Sequence, residues 1–255
     1  MIPTEILSRH VDQHPFPLLF ATISGAHLYG FPSADSDFDL RGVHVLPIED
    51  VVGLHQGTET VDRTTIDDGL EIDLVTHDVQ KFFNLMLKKN GYVLEQVCSP
   101  LIIHRTPEFD ELKSLVSDCV TRHHSHHYLG FAANQWKLFR KDDPPRVKPL
   151  LYMFRVLLTG IHLMQTGIIE ANLLTLNEKF QLPMIDDLVA RKVGGAEKEA
   201  IDQADMPHLQ REYESLEEQL KVASAESTLP EVGRAKPALH DLLLRLRLAG
   251  SAPAR

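Results

Sequence analysis

Apolar and polar positions alternate in two distinct rhythms along the chain, one in the first hundred residues and another after Pro100. Residues 17–23 (PLLFATI) form a continuous apolar run that stops at Ser24-Gly25, the pattern of a buried strand ending in a turn. Asp37 to Val45 alternates, with Asp37, Asp39, Arg41, Val43 and Val45 at one parity, so a two-residue period puts both aspartates on one face. Gly69 to Thr76 alternates likewise, with Leu70, Ile72 and Leu74 against Glu71, Asp73 and Val75. Asp78 is placed to cap a helix carrying Val79, Phe82, Phe83, Met86 and Leu87 and closing near Asn90-Gly91.

Beyond Pro100 the period becomes helical. Tyr128, Phe131, Gln135, Trp136 and Phe139 recur at three- and four-residue steps, and Leu150, Leu151, Phe154, Leu157, Leu158 and Ile161 make a wide apolar stripe. Asp142-Asp143-Pro144-Pro145 separates the two. Leu209 to Lys221 and Pro237 to Leu248 are further helix candidates, joined by a small, polar stretch, Ala223 to Leu229, that reads as a mobile loop. The expected organisation is an α/β domain over residues 1–110 followed by a helical domain over 111–255.

Composition narrows the class. The 255 residues are 43% hydrophobic and 24% charged, which suits a globular chain and excludes disordered and collagen-like classes. No stretch approaches the ~18 uninterrupted apolar residues of a membrane span, and the first residues lack a basic-then-apolar leader, so a cytoplasmic location without membrane association is expected. Cys98 and Cys119 are too few for a disulfide framework and are expected as buried thiols. A formal net charge of −10 argues against non-specific coating of nucleic acid, which depends on neutralising phosphates.

Candidate chemistry centres on Asp37, Asp39 and Asp73. Three carboxylates on adjacent strands repel one another unless they bind a hard divalent cation, whereas an isolated Asp-x-Asp marks only a solvated strand face. Between the first strand and these acids lies Ser24-Gly25-Ala26-His27-Leu28-Tyr29-Gly30, a small-residue turn able to present backbone N–H groups to phosphate. Gly25 and Gly30 have Walker A spacing, but Phe31-Pro32 stands where Lys-Ser or Lys-Thr is required, so that reading fails. The dinucleotide fingerprint Gly-x-Gly-x-x-Gly is absent.

The turn, followed by Asp35-Ser36-Asp37-Phe38-Asp39-Leu40-Arg41-Gly42-Val43, resembles the signature of the DNA polymerase β-like nucleotidyltransferase superfamily, and more narrowly its RNA-ligase-associated branch, proposed to act in RNA repair. The likeness continues through Glu71-Ile72-Asp73-Leu74-Val75, Lys81-Phe82-Phe83 and Lys88 to Glu95, then at Lys148, Tyr152, Arg155 and Leu163 to Gly167. It implies a minimal palm-like domain with a C-terminal helical bundle. Asp37, Asp39 and Asp73 would be the catalytic acids and ligands of Mg²⁺ or Mn²⁺. Ser24, Gly25, Ala26, His27, Ser36, Arg41, Lys148, Tyr152 and Arg155 would meet the nucleotide. The implied reaction moves a nucleoside monophosphate from a triphosphate to an acceptor hydroxyl, with an RNA 3′ end as the first candidate. Transfer of AMP to a protein hydroxyl and nucleotide or RNA binding without catalysis stay open. The family's turn is usually Gly-Ser, and here Gly25-Ala26 lacks the hydroxyl; one lost charge-assisted bond is worth about 1.5–3 kcal/mol.

Two other clusters have plainer readings. Lys137, Arg140, Lys141, Arg146, Lys148 and Arg155 put six cations in 19 residues, and Lys148, Tyr152, Arg155 and Thr159 share a helix face that suits either a polyanion clamp or a solvated surface. His123-His124-Ser125-His126-His127 offers at best two ligands on one helix face, too few for a transition metal. Trp136 is expected in the core.

Overall fold

A computed structural model describes residues 2–194, 201 and 205–249. The chain forms two compact units: Met1–Gly25, Asp37–Cys119 and Gly233–Arg255 make the first, Ala26–Ser36 and Val120–Val232 the second. The boundary expected at residue 110 falls inside the first unit, and the C-terminal helix, expected in a helical domain, belongs to the sheet unit. The last residues of that expected domain, 250–255, lie outside the described residues.

The first unit is built on five strands: β1 Leu18–Ile23, β2 Phe38–His44, β3 Thr60–Asp67, β4 Leu70–Asp78 and β5 Ile102–Arg105. Their order is β3-β4-β2-β1-β5, with β2 and β4 parallel and every other pair antiparallel. The apolar run of β1 has all six residues buried because both faces are covered. On one face Ala21 and Ile23 join Leu40, Ile72 and Leu74 against Leu7 and Val11 of a helix over Thr4–Asp12. On the other, the Phe20 ring meets Phe82 edge-on at 5.7 Å and Phe109 at 4.8 Å, from helices Val79–Leu87 and Pro107–Ser114. A tight hairpin joins β3 to β4 through Asp68 (φ 50°) and Gly69 (φ 78°), left-handed conformations that suit an Asp-Gly pair.

Asp78 caps the helix as expected, its carboxylate accepting from the Gln80 amide at 3.0 Å. Asn90-Gly91 does not close that helix, which ends at Leu87; the Asn90 side chain instead caps the next one, Gly91–Cys98, by accepting from the Tyr92 amide. The second unit is helical, centred on Val147–Thr166, in which every residue from Met153 to Ile161 is buried. Gly160 lets it approach the helix Met206–Glu226 closely, since a Cβ there would lie 2.9 Å from Leu220. That helix runs through Glu226 and buries Ala223, so most of the stretch expected to be a mobile loop is its last turn. Trp136 is 8% exposed and stacks on Tyr213 with centroids 4.9 Å apart. Neither cysteine forms a disulfide; Cys98 is only half-buried, whereas burial raises the Cys119 thiol to about 12.

A buried polar bridge ties the first unit together. Thr76 Oγ1 hydrogen-bonds His44 Nδ1 at 2.8 Å and His14 Nε2 at 2.9 Å, and His44 Nε2 is buried without a partner among the described residues. A single hydroxyl proton serves one ring while the other ring donates, which suits two neutral imidazoles. Burial foremost, then His14, lowers the His44 pKa from 6.5 to about 4. The unfolded chain therefore takes up a proton below pH 6.5 that the folded chain refuses until about 4. Stability is expected to fall by about 3 kcal/mol as pH drops through that window and to be unaffected by this group above it. Urea midpoints at pH 7.5 and 4.5 check this: the His44→Gln variant should lose less stability on acidification than the wild type.

Candidate functional site

Parallel pairing of β2 with β4 sets Asp39 directly opposite Asp73. Partner residues in parallel strands share a face, so two carboxylates face one side of the sheet at neighbouring positions and repel. Arg41, two residues beyond Asp39, lies between them. Its Nη2 donates to Asp39 Oδ1 at 2.5 Å and to Asp73 Oδ2 at 2.8 Å. Nη1 donates to the Leu40 and Asp73 carbonyls at 3.0 and 2.6 Å, and Nε to the Tyr92 hydroxyl at 3.1 Å. Five N–H donors thus meet five acceptors, the full capacity of a guanidinium. Burial works against its charge, but Tyr92, Asp39 and Asp73 outweigh it and hold the Arg41 pKa above its ordinary value. Thr64 Oγ1 adds a hydrogen bond to Asp73 Oδ1 at 3.3 Å from β3.

The glycine turn is fastened to this pair by its first two residues. The Ser24 amide donates to the Asp39 carbonyl at 2.8 Å, and Gly25 follows at φ +60°. A Cβ on Gly25 would lie 1.8 Å from Asp39 Oδ2, so the backbone passes the carboxylate at a distance only glycine permits. Gly25→Ala is expected to lower stability by about 1–3 kcal/mol and to displace Asp39, read as a lower urea midpoint. Ser24 is 1% exposed, and among the described residues its hydroxyl has no hydrogen-bond partner.

Asp37 is half-buried but precedes β2, which starts at Phe38, so the strand face expected to carry both aspartates carries Asp39 and Arg41. Among the described residues no three of His, Cys, Asp or Glu form a metal-ligating group, the histidine run at 123–127 included. There His124 Nδ1 accepts from the Thr121 amide at 3.1 Å and serves as a helix-start cap.

The other expected nucleotide contacts lie in the second unit. Ala26 is buried, His27 is half-buried, and Ser36 Oγ accepts from the Ser33 amide at 2.9 Å. Tyr152 meets the Tyr29 and Phe31 rings edge-on at 5.5 and 5.7 Å, and the Arg155 guanidinium lies 4.0 Å over the Tyr29 ring. The helix face that the sequence left open between a polyanion clamp and a solvated surface is partly interior: Lys148 is exposed, but Arg155 is 3% exposed and Thr159, which donates to the Glu170 carbonyl, is fully buried. Sequence reasoning missed Lys192, which is 1% exposed with Nζ 3.2 Å from Ser33 Oγ. Beside Arg191, near the end of a surface-like helix, it carries no sequence sign of burial.

Over residues 3–245 the chain matches the RNA repair pathway DNA polymerase beta family. The chain belongs to that family. It is 24% identical over 230 residues to the uncharacterized protein YcgL of Bacillus subtilis, covering 86% of this chain and 87% of that protein. It is 29% identical over 153 residues to the uncharacterized protein MJ0002 of Methanocaldococcus jannaschii, covering 58% of this chain and 61% of that one. A nucleotidyltransferase-like protein from Exiguobacterium sibiricum aligns over 97% of this chain and 75% of its own at 14% identity, with a TM-score of 0.34. The mixed α/β architecture expected from the resemblance is present, and membership in the polymerase β family makes the chain nucleotidyltransferase-like.

In this family setting the donors can be tested against a divalent cation. The carboxylates of Asp39 and Asp73 are hard oxygen donors held at adjacent register, whereas Asp37, two residues upstream in sequence, is not grouped with them in this structure. They fit Mg²⁺ or Mn²⁺ in kind. Their positive partner in this structure is the Arg41 guanidinium.

Proposed function

We propose that the protein is a metal-dependent nucleotidyltransferase that moves a nucleoside monophosphate from a nucleoside triphosphate to an acceptor hydroxyl, with an RNA 3′ end as the acceptor. The observation that carries this is the Asp39–Asp73 pair in parallel register with the Gly25 backbone against Asp39, within the span of the family match. Asp39 and Asp73, with Asp37, would hold the divalent cation, which when bound supplies positive charge to phosphoryl oxygens and to the attacking hydroxyl. Gly25, having no side chain, lets the turn's backbone lie directly against the Asp39 carboxylate and so fixes where that acid sits. The buried Ser24 hydroxyl, without a partner among the described residues, offers a hydrogen bond of the kind that Ala26 lacks. In the second unit Lys148 is the exposed candidate for a polyanion contact, while Tyr152 and Arg155, also candidates, pack on the Tyr29 ring.

The acceptor is found by incubating the protein with Mg²⁺ and each α-labelled nucleoside triphosphate, adding either total RNA or total protein. Label on RNA is expected. Label on polypeptide would replace RNA by a protein hydroxyl, and nucleotide binding with no transfer would make the chain a binding protein. Ala26→Ser is expected to raise the transfer rate roughly tenfold, the effect of one recovered hydrogen bond to a charged phosphate. An unchanged rate would show that the missing hydroxyl does not limit the reaction.

A further inference from the structure

A cation already occupies the acid pair. We propose that Arg41 is a displaceable internal cation: it clamps Asp39 and Asp73 together in the metal-free protein and releases both when a divalent cation binds, staying beside the site to meet the triphosphate. This inference rests on the reading of Asp39 and Asp73 as metal ligands. The guanidinium is held in two separable parts. Nη2 makes the hydrogen bonds to the two carboxylates, whereas Nε and Nη1 are anchored to the Tyr92 hydroxyl and to the Leu40 and Asp73 carbonyls. Letting go of the acids therefore breaks the two Nη2 bonds and leaves three that keep the group in place. The released Nη2 is a cationic donor without an acceptor, and a phosphate oxygen is the geometrically suited partner for a guanidinium fork. Charge points the same way. Asp39, Asp73 and Arg41 sum to −1 while clamped, and the two acids present −2 to an incoming cation once Arg41 withdraws. Metal and nucleotide binding are then coupled, because each favours the released state of Arg41.

The test is Mn²⁺ binding to the full chain, followed by the electron paramagnetic resonance signal of the free ion. Arg41→Gln, which removes the competing charge, is expected to bind Mn²⁺ roughly tenfold more tightly than the wild type. Tyr92→Phe, which frees one anchor and leaves the fold intact, should shift affinity a few-fold. A non-hydrolysable nucleoside triphosphate should tighten Mn²⁺ binding in the wild type much more than in Arg41→Gln. In the wild type, nitrogen-15 spectra should show restricted Cζ–Nη2 rotation of Arg41 that saturating Mg²⁺ relieves, a readout that needs no variant. Unchanged or weaker Mn²⁺ binding in Arg41→Gln, or an Arg41 signal indifferent to Mg²⁺ while Asp39→Asn abolishes metal binding, would overturn the inference and leave the metal site standing. Mn²⁺ binding that survives in both Asp39→Asn and Asp73→Asn would instead remove the metal site itself.

Discussion

Asp39→Asn is expected to lower nucleotidyl transfer by about a thousandfold or more while leaving the protein folded. The rate effect follows from the position of Asp39, which faces Asp73 across the parallel pair, abuts Gly25 and supplies one of the two carboxylates gathered at this point. Removing a group that stabilises transition-state charge in a preorganised site costs about 10²–10³ in rate, and losing a metal ligand adds to that. The fold should survive because asparagine keeps an oxygen able to accept from Arg41 Nη2, and Asp73 remains as the guanidinium's counter-charge. No buried charge is left uncompensated. The substitution even reduces the repulsion between facing carboxylates, so the urea midpoint should stay close to that of the wild type.

Arg247→Met should have the largest effect on stability. Arg247, on the helix Lys236–Ala249, donates through Nη2 to Asp78 Oδ1 at 2.5 Å and through Nη1 to the Leu46 carbonyl at 2.8 Å. Asp78 also accepts from the Gln80 and Leu46 amides, and the two charged side chains are 7% and 4% exposed. Breaking a buried pair from one side leaves a desolvated carboxylate, at a cost of about 3–5 kcal/mol. Urea unfolding should show that loss, and a loss below about 1 kcal/mol would contradict the assigned role. Adding Asp78→Asn to Arg247→Met should recover part of it, since the residual penalty is the unpaired charge. Because this helix belongs to the sheet unit, removing it should destabilise the unit that carries the acids.

Local signals in the sequence carried the elements around the acids, and long-range pairing carried their meaning. The apolar run of β1, the alternation of β4 and the Asp78 cap are each written within ten residues and were readable there. Parity also put Arg41 on the face of Asp39. That the guanidinium clamps Asp39 to Asp73 depends on the register between β2 and β4, which no local pattern sets. Asp37 was drawn into the strand by alternation alone, whereas pairing begins at Phe38. β3 escaped notice because its residues are half-buried or exposed throughout and show no apolar face, although Asp68-Gly69 marked the hairpin. For Arg155 the sequence left a polyanion clamp and a solvated face both open, because charge counting cannot foresee a ring such as Tyr29 covering a guanidinium. The C-terminal helix was assigned to the wrong unit for a related reason. Its tie to the sheet, Arg247 to Asp78, spans 169 residues of sequence.

The most direct measurement is the rate of label transfer from an α-labelled nucleoside triphosphate to RNA by the wild type, Asp39→Asn and Asp73→Asn, with each variant's urea midpoint recorded beside it. If the facing carboxylates are the transfer site, both variants lose transfer by at least about a thousandfold at nearly wild-type stability. Transfer at wild-type rates by either folded variant would contradict the assignment.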